Sequence, residues 1–495
     1  MNFSRRRFLD AAAVLAVASP MAGRAAAKSK SDAPVTDAVA IAQAVRAGST
    51  TPLAEVDKAI ARLEKANPKI NAVHFPNYER ARERARAGVT GPLAGVPTLI
   101  KDNVPQKGLP NTSGSKLFLK RIPDADGPYV QAIERAGLIS IGRAALPEFA
   151  ETVTTESFFT GITRNPWNLD RSSGGSSGGT GAAVAAGVVP VAHGNDRAGS
   201  IRHAAAPCGL VGLKPSRGRM AGDEKSRSVT DLNVQGPLSR TVRDTAAWLA
   251  ATEYVGEGGA LPPVGVVSGG PNRRLVIGVR QEKPYNGELP SAAVQRVFSD
   301  AAALLGRLGH DVRHQPAPFD GPKAGQAFLT SWEAGVVSML ATVEKLIGRP
   351  LTASDVEPRR FQMAARGRSV SMAQLGEAVR DMQAAAESYV AQFEHIDVYM
   401  TPVFSTEPVR IGEFGPAGSW DEQRPHIIDY AGYCWIDNVA GTPAISLPMG
   451  FSPGGLPIGI QFTARPGNER VLLELAYQLE GEVRWWRKLP PVWVG

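Results

Sequence analysis

The spacing of hydrophobic residues along the chain indicates alternating helices and strands. Between residues 35 and 87, apolar positions recur at steps of three and four, which is typical of amphipathic helices. The same spacing predicts helices at 129–136, 293–308 and through most of 321–395. Short apolar or β-branched runs predict strands at 98–100, 138–141, 188–192, 275–279, 398–401, 444–447 and 458–462. The alternation predicts an α/β fold in one large domain, with a mixed or parallel sheet covered on both faces.

The amino terminus has the pattern of an export signal. Paired arginines at positions 5 and 6 precede an apolar stretch of Ala, Val and Leu, which ends in three alanines. This order predicts a twin-arginine signal peptide over residues 1–27, a tether at 28–34 and a folded domain at 35–495. An amphipathic first helix is the alternative, but the apolar run lacks helical spacing. A protein with this signal is expected in the periplasm or outside the cell.

Composition places the chain among ordinary globular enzymes. Of its 495 residues, 43% are hydrophobic and 21% are charged. The net charge is +8, but the basic residues are scattered, so neither nucleic-acid binding nor stable membrane association is expected. The surroundings of Cys208 and Cys434 favour two buried thiols over one disulfide bond. No histidine pair has metal-ligand spacing, and neither a metal nor another cofactor is expected.

A glycine- and serine-rich segment is the densest motif in the sequence. Residues 172–181 have the sequence SSGGSSGGTG and lead into a small, apolar stretch at 182–187, predicted to be a fully buried helix. A second cluster, GNDRAGSIR, occupies 194–202, so that Ser176 and Ser200 lie 24 residues apart. Glycines before a helix allow backbone N–H groups to face a developing oxyanion, as acyl transfer requires. A phosphate-binding loop is the alternative, but the Gly-Lys-Ser/Thr ending of a P-loop is missing.

A serine nucleophile needs a base, and the sequence offers two kinds. His193 lies at the end of a predicted strand and His203 lies in the second cluster, but neither accompanies a Gly-x-Ser-x-Gly nucleophile elbow. Lys101 follows an apolar strand, and burial can lower the pKa of a lysine far enough to make it a base. An exposed pair between Lys101 and Asp102 is the structural alternative. Spacing alone decides neither the base nor which serine is the nucleophile.

In order and spacing, these motifs resemble the amidase signature family. The resemblance rests on GGSSGG at 174–179, on GNDRAGSIR at 194–202 and on CGLVGLKP at 208–215. It extends from about residue 35 to the end of the chain. The further shared motifs are NAV at 71–73, GVP at 95–97, KDN at 101–103, PEF at 147–149, TRNPW at 163–167, TP at 401–402 and GTPAI at 441–445. The resemblance implies the family fold, a large mixed and twisted β-sheet covered by helices on both faces.

The resemblance also implies a Ser–Ser–Lys triad. Ser200 is the expected nucleophile, and Ser176 is expected to relay its proton. Lys101 is the expected base, and later the acid that protonates the leaving amine. A cis peptide bond is expected between Gly175 and Ser176.

The segment around Ser200 carries further expectations and some departures from the family pattern. Backbone N–H groups should form an oxyanion hole, contributed by Arg197, Ala198, Gly199 and Ser200. Asp196 and Arg202 should brace the segment as a buried ion pair, a structural role. Asn195 stands where the family usually has Thr, and Ala198 where it has Gly, so alanine is strained if the position needs a positive φ. His203 replaces a more usual apolar residue, and these changes bear on rate and substrate preference.

The function implied by the resemblance is hydrolysis of a linear or cyclic carboxylic amide, through an acyl-enzyme, to an acid and an amine or ammonia. The GNDRAGS variant and the ending WWRKLPP at 485–491 resemble the branch that contains 6-aminohexanoate cyclic-dimer hydrolases. One alternative is a catalytically impaired, exported homologue that only binds amides. Another is the A subunit of a tRNA-dependent amidotransferase, which the export signal disfavours.

The less regularly patterned helical region at about 321–440 is expected to shape the substrate pocket. Its candidate lining residues are aromatic or apolar, namely Phe328, Trp332, Tyr430, Cys434 and Trp435. Ordinary core packing is the alternative for each of them. The expected partner is a small-molecule amide, and a homodimer is compatible with the sequence.

Overall fold

The fold is given by a computed structural model that describes residues 37–495, all of which lie in one compact unit. The predicted signal peptide and tether lie outside the described residues. The strands are β1 (Val73–Pro76), β2 (Pro97–Lys101), β3 (Ile139–Ala144), β4 (Glu156–Ser157), β5 (Gly161–Ile162), β6 (Arg164–Asn165), β7 (Asn168–Ser172), β8 (Val191–Asp196), β9 (Val211–Lys214), β10 (Val234–Ser239), β11 (Val276–Val279), β12 (Asp311–His314), β13 (Val398–Pro402), β14 (Ala444–Phe451) and β15 (Pro457–Thr463). The α-helices are α1 (Ala38–Arg46), α2 (Pro52–Ile70), α3 (Tyr78–Ala87), α4 (Pro128–Arg135), α5 (Gly178–Ala185), α6 (Arg202–Cys208), α7 (Val242–Thr252), α8 (Ala292–Arg307), α9 (Gly321–Ile347), α10 (Pro358–Arg368), α11 (Met372–Ala391), α12 (Trp420–Ala431), α13 (Trp435–Ala440) and α14 (Glu469–Val483).

A large mixed sheet forms the centre of the described chain. Its eight strands have the order β12-β11-β13-β15-β14-β9-β10-β8. β11 is parallel to β12 and β13, and the other neighbours are antiparallel. Because successive residues of a strand face opposite sides, Ile460 and Phe462 of β15 join the core beneath α7, α8 and α14, whereas Gln461 accepts a hydrogen bond from Arg202 of α6. Helices therefore cover both faces, and the predicted α/β architecture is confirmed.

A second sheet brings Lys101 to the edge of the main sheet. Its three strands, counted over the described residues, have the order β1-β3-β2. The Thr98 hydroxyl donates to the carbonyl of Val191, and the backbone N–H of Lys101 donates to His193 Nδ1. β2 therefore runs beside β8, and the strand that ends in Lys101 meets the strand that ends in Asp196.

The small residues of α5 allow this helix to be fully buried beside the segment that directly follows β3. Every residue of α5 is buried. A Cβ on Gly179 would lie only 2.3 Å from the backbone nitrogen of Ala145, so this position accepts no larger residue. The helix begins at Gly178, inside the glycine-rich motif, which is earlier than the sequence predicted.

Several elements differ from the sequence prediction. The helical segment at 35–87 contains β1 between α2 and α3, and β8 begins at Val191 instead of at 188. The sequence analysis predicted none of the three elements β9, β10 and α6. β10 contains Gly236 and Pro237, and α6 contains Pro207, so that both lack the regular apolar pattern of their class.

Both cysteines are free and buried in the structure. Burial raises the pKa of both thiols, so each behaves as a small apolar side chain, as predicted. None of the helices in residues 37–495 combines the length and the hydrophobicity that crossing a membrane requires.

Candidate active site

Lys101, Ser176 and Ser200 form a continuous line of hydrogen-bond contacts. Lys101 Nζ lies 2.8 Å from Ser176 Oγ, and Ser176 Oγ lies 2.9 Å from Ser200 Oγ. Three separate parts of the chain supply these side chains: the end of β2, the loop before α5, and the turn between β8 and α6. Short contacts between hydroxyls and an amine are the geometry needed for proton transfer between them.

Lys101 is fully buried, and burial places its pKa well below the usual range for a lysine. The negative charge of Asp196 opposes this effect and does not cancel it. Two more oxygens surround the amine: Nζ donates to Ser177 Oγ at 3.0 Å and to Asn195 Oδ1 at 2.5 Å. The amine of Lys101 is therefore neutral over more of the pH range than an exposed lysine, as a base must be.

The surface pair between Lys101 and Asp102 does not form. Asp102 is buried and accepts two hydrogen bonds from Arg143, at 3.2 Å from Nε and 3.1 Å from Nη2. It also accepts from the hydroxyl of Thr112. Asp102 therefore anchors the loop after β2 and leaves the lysine to the two serines.

Within residues 37–495, neither candidate histidine forms a hydrogen bond to Ser176 or Ser200, whereas Lys101 does. His193 is buried, accepts the Lys101 N–H at Nδ1, and lies 2.8 Å from Gln235 Oε1 through Nε2. His203 is buried and stacks on the ring of Phe404, with the ring centroids 4.8 Å apart. Burial lowers the pKa of each imidazole to about 3, so both rings are neutral.

Backbone geometry places both serines. The peptide bond between Gly175 and Ser176 is cis, as expected. Gly199, which precedes the second serine, has a φ of +127°, and a Cβ there would lie 2.3 Å from the imidazole of His203. Glycine is required at position 199 by both its conformation and its neighbour.

The structure changes one part of the oxyanion-hole prediction, the role of Gly199, and answers the question raised by Ala198. The N–H of Gly199 donates to Asp196 Oδ1 at 2.7 Å, so a carboxylate already takes this proton. The N–H groups of Arg197, Ala198 and Ser200 are left as the candidate donors. Ala198 is not among the residues with positive φ, so alanine is unstrained there.

Asp196 and Arg202 form the buried ion pair that the sequence predicted. Both side chains are fully buried, and Arg202 Nε lies 3.0 Å from Asp196 Oδ2. Arg202 also donates to Asp437 at 2.5 Å and to Asn438 at 2.7 Å, both in α13. Burial alone would raise the pKa of Asp196, but Arg202 holds it well below its usual range. The pair thus joins the loop before Ser200 to a neighbouring helix.

A mostly apolar cavity opens beside Ser200. Its empty volume is about 670 Å³, part of it open to solvent. Phe328, Trp332 and Trp435 line it, as predicted, and Phe328 stacks on Trp435 with ring centroids 5.0 Å apart. The other two predicted lining residues, Tyr430 and Cys434, lie in the core behind these aromatic side chains.

Tyr430 and Cys434 pack in that core and do not line the cavity. Tyr430 stacks on Phe404, with ring centroids 4.1 Å apart, and Cys434 Sγ lies 3.3 Å from Gln461 Oε1. Their assignment to the pocket is therefore corrected. Ile427, Ile428 and Ala431 present one face of α12 to the cavity, whereas Tyr430 and Cys434, which precedes α13, belong to a core cluster with Phe404 and Phe414.

Several lining residues were missed by the sequence analysis. They are Ala150, Glu151, Thr152, Val153, Ala198, His203, Tyr285, Leu329, Trp420, Ile427, Ile428, Ala431 and Gly432. The signal for His203 was its departure from the family pattern. No sequence signal marked Glu151 or Thr152, because the loop at 150–153 is brought to the site only by the tertiary fold. The structure shows no group of three or more His, Cys, Asp or Glu within residues 37–495 that could hold a metal ion.

Comparison with known proteins identifies the family. Residues 54–473 match the family described as Amidase. The chain belongs to the amidase family. This confirms the resemblance drawn from the motifs and the class of enzyme it implies: the amidase described here is an amide-hydrolysing enzyme.

Similar proteins cover nearly the whole of this amidase. A putative amidase, AmiC, of Mycobacterium tuberculosis is 36% identical, over 92% of this chain and 95% of that protein. The 6-aminohexanoate-cyclic-dimer hydrolase of a Pseudomonas species is 36% identical, over 92% of this chain and 96% of that protein. A solved structure of 6-aminohexanoate cyclic dimer hydrolase with substrate superposes with a TM-score of 0.84 at 34% identity, covering 92% of this chain and 99% of that one.

Proposed function

We propose that this amidase hydrolyses a small carboxylic amide through an acyl-enzyme on Ser200. The observation that carries the proposal is the line of contacts from buried Lys101 through Ser176 to Ser200, which ends at the cavity. In this arrangement a desolvated amine is the base for a serine that it does not touch, and a second hydroxyl connects the two.

Proton transfer along this line accounts for acylation. As Ser200 Oγ attacks the amide carbon, its proton passes to Ser176 Oγ, and the proton of Ser176 passes to the amine of Lys101. The resulting ammonium returns a proton through Ser176 to the nitrogen of the leaving amine when the C–N bond breaks. Water then attacks the ester by the same proton path, and the acid is released with Ser200 restored.

The oxyanion of each tetrahedral intermediate needs backbone donors. Arg197, Ala198 and Ser200 are the donors we propose, and Gly199 supports the loop through its bond to Asp196. Such donors are fixed before the reaction, so they stabilise the developing charge without reorganisation.

The acyl part of the substrate is proposed to be largely aliphatic. The cavity wall is aromatic and apolar around Phe328, Trp332 and Trp435, which suits a chain of several methylene groups. The name of the Pseudomonas relative points in the same direction, because 6-aminohexanoate is such a chain. We propose a linear or cyclic aliphatic amide as the substrate class.

Covalent labelling of Ser200 tests the proposal. A serine-directed fluorophosphonate should label the wild type at Ser200, and Ser200→Ala should remove both labelling and hydrolysis of aliphatic amides. Ser173→Ala is the matched control, since Ser173 is a buried serine of the same segment whose hydroxyl donates to the carbonyl of Thr163. A folded wild type that is neither labelled nor active would favour the impaired homologue instead.

We further propose that this enzyme is exported through the twin-arginine pathway. The support is the arrangement of residues 1–27, with its paired arginines and apolar stretch.

A further inference from the structure

The cavity beside Ser200 contains one buried carboxylate, that of Glu151. Glu151 is 5% exposed, and its Oε1 accepts a hydrogen bond from Arg197 Nη1 at 2.7 Å. Its Oε2 is buried and has no hydrogen-bond partner anywhere in residues 37–495. A buried polar atom without a partner is unfavourable, and such an atom in a substrate cavity is satisfied when a ligand supplies the missing donor.

Arg197 fixes the position of this carboxylate. Its guanidinium lies over the indole of Trp332, 4.3 Å from the ring centroid, while it pairs with Glu151. The ion pair has no net charge. A cationic group on the substrate therefore gains less electrostatic binding energy here than it would beside an isolated carboxylate. A neutral N–H donor fits this site better.

A matching donor lies in the same wall. Trp435 Nε1 and Thr152 Oγ1 are buried, have no partner within the described part of the chain, and belong to residues that line the cavity. An indole N–H can only donate, and the free oxygen of Glu151 can only accept. An amide group carries both kinds of complement, an N–H for a free acceptor and a carbonyl for a free donor.

We infer that Glu151 is a specificity-determining residue of the acyl pocket, whose Oε2 accepts a hydrogen bond from an amide N–H in the acyl part of the substrate. The inference rests on the proposed function, because the acyl part is defined by its attachment to Ser200. It narrows the substrate class to amides that carry a second amide group within the acyl chain.

Three anilides of equal chain length test the inference. One has a plain alkanoyl chain, one has a secondary amide within the chain, and one has the same amide with its nitrogen methylated. In the wild type, kcat/KM should be on the order of 10- to 100-fold higher for the N–H compound than for the N-methyl compound, since the acceptor is charged. In Glu151→Met the ratio of kcat/KM for the N–H compound to kcat/KM for the N-methyl compound should fall. The preference that remains should be only the one caused by the size of the methyl group.

Glu148→Met is the matched control. Glu148 is a buried carboxylate three residues earlier, but its Oε2 accepts from the backbone of Glu357 at 2.8 Å and it lines a different cavity. This variant should keep the wild-type ratio. If Glu151→Met does not fold, Glu151→Asp, which draws the carboxylate back by one methylene group, should also lower the ratio.

Two results would overturn the inference. One is equal turnover of the N–H and N-methyl compounds by the wild type. The other is a folded Glu151 variant that retains the full wild-type ratio, because the preference then comes from steric bulk. If the fluorophosphonate labels Ser200 but none of the three anilides is hydrolysed, the inference alone fails. If Ser200 is not labelled either, the proposed function fails, and the inference fails with it.

Discussion

At the scale of single residues, the chemistry depends on a lysine that is removed from water. Lys101 was identified from the sequence through its family motif and its position after an apolar strand. Its contacts with Ser177 and Asn195 could not be predicted, because they depend on how β2 and β8 meet. The same holds for Glu151, whose loop carries no pattern that marks it as part of a site.

The pH dependence of activity should report this lysine. Because burial lowers the pKa of Lys101, kcat/KM should rise with pH as the amine loses its proton, in a range below that of an ordinary lysine at about 10.4. Lys101→Met should lower kcat/KM by about 10²- to 10⁴-fold near neutral pH and remove this rise. Activity is measured across the pH range with one aliphatic amide.

A second buried lysine provides the control for that experiment. Lys214 is also fully buried, which lowers its pKa to about 7, but it donates to the carbonyl of Pro215 and lies outside the line of contacts to Ser200. Lys214→Met should retain the pH dependence of the wild type. If the rise with pH disappears in Lys214→Met and persists in Lys101→Met, Lys101 is not the base.

At the scale of elements, the buried network around Arg202 ties the nucleophile loop to the rest of the fold. Arg202 lies in α6 and contacts Asp196 at the end of β8, Asp437 in α13 and Gln461 in β15. The sequence analysis predicted the pair with Asp196 from the family motif. The partners in α13 and β15 lie more than 200 residues away and became visible only in the structure.

Loss of Arg202 should destabilise the protein strongly. Arg202→Met leaves two buried carboxylates without their counter-ion, which we expect to cost about 3–5 kcal/mol at pH 7. The pKa of Asp196 is depressed in the folded state, so the stabilisation that it contributes is complete above its unfolded value of about 3.9 and is lost as the pH falls below it. The difference between wild type and variant, measured by urea unfolding, should therefore shrink in acid.

An exposed ion pair serves as the comparison for Arg202. Arg273 pairs with Asp397 at 2.7 Å, with 55% of its side chain exposed. Arg273→Met should change the free energy of unfolding by about 1 kcal/mol or less. An equally small effect of Arg202→Met would show that the buried network does not stabilise the fold.

At the scale of the whole molecule, the architecture was largely predictable and the details of the main sheet were not. Alternating apolar runs gave the α/β class, and strands such as β11, β13 and β15 fall where these runs lie. β10 was missed because glycine and proline interrupt it, although it pairs with β8 along its whole length and thereby supports the nucleophile loop. Long-range pairing of this kind leaves no local pattern.

Export is the prediction that concerns the whole chain. Replacing both Arg5 and Arg6 by Lys in the full-length protein should retain the enzyme in the cytoplasm, as measured by fractionation and by activity in each fraction. Lys28→Arg changes a basic residue outside the paired arginines and should leave export unchanged. Equal export of the double variant and the wild type would contradict the twin-arginine assignment.

The three oxygen neighbours of Lys101 also determine the direction in which its lone pair points. A neutral amine has two hydrogens and one lone pair. Asn195 Oδ1 can only accept, and Asn195 is held in that orientation because its Nδ2 donates to Asn233 Oδ1 at 2.6 Å. Ser177 donates its own hydrogen to the carbonyl of Asn195, so it too accepts from the amine. With both hydrogens taken, the lone pair is directed at Ser176, and protons enter and leave the lysine through that hydroxyl alone.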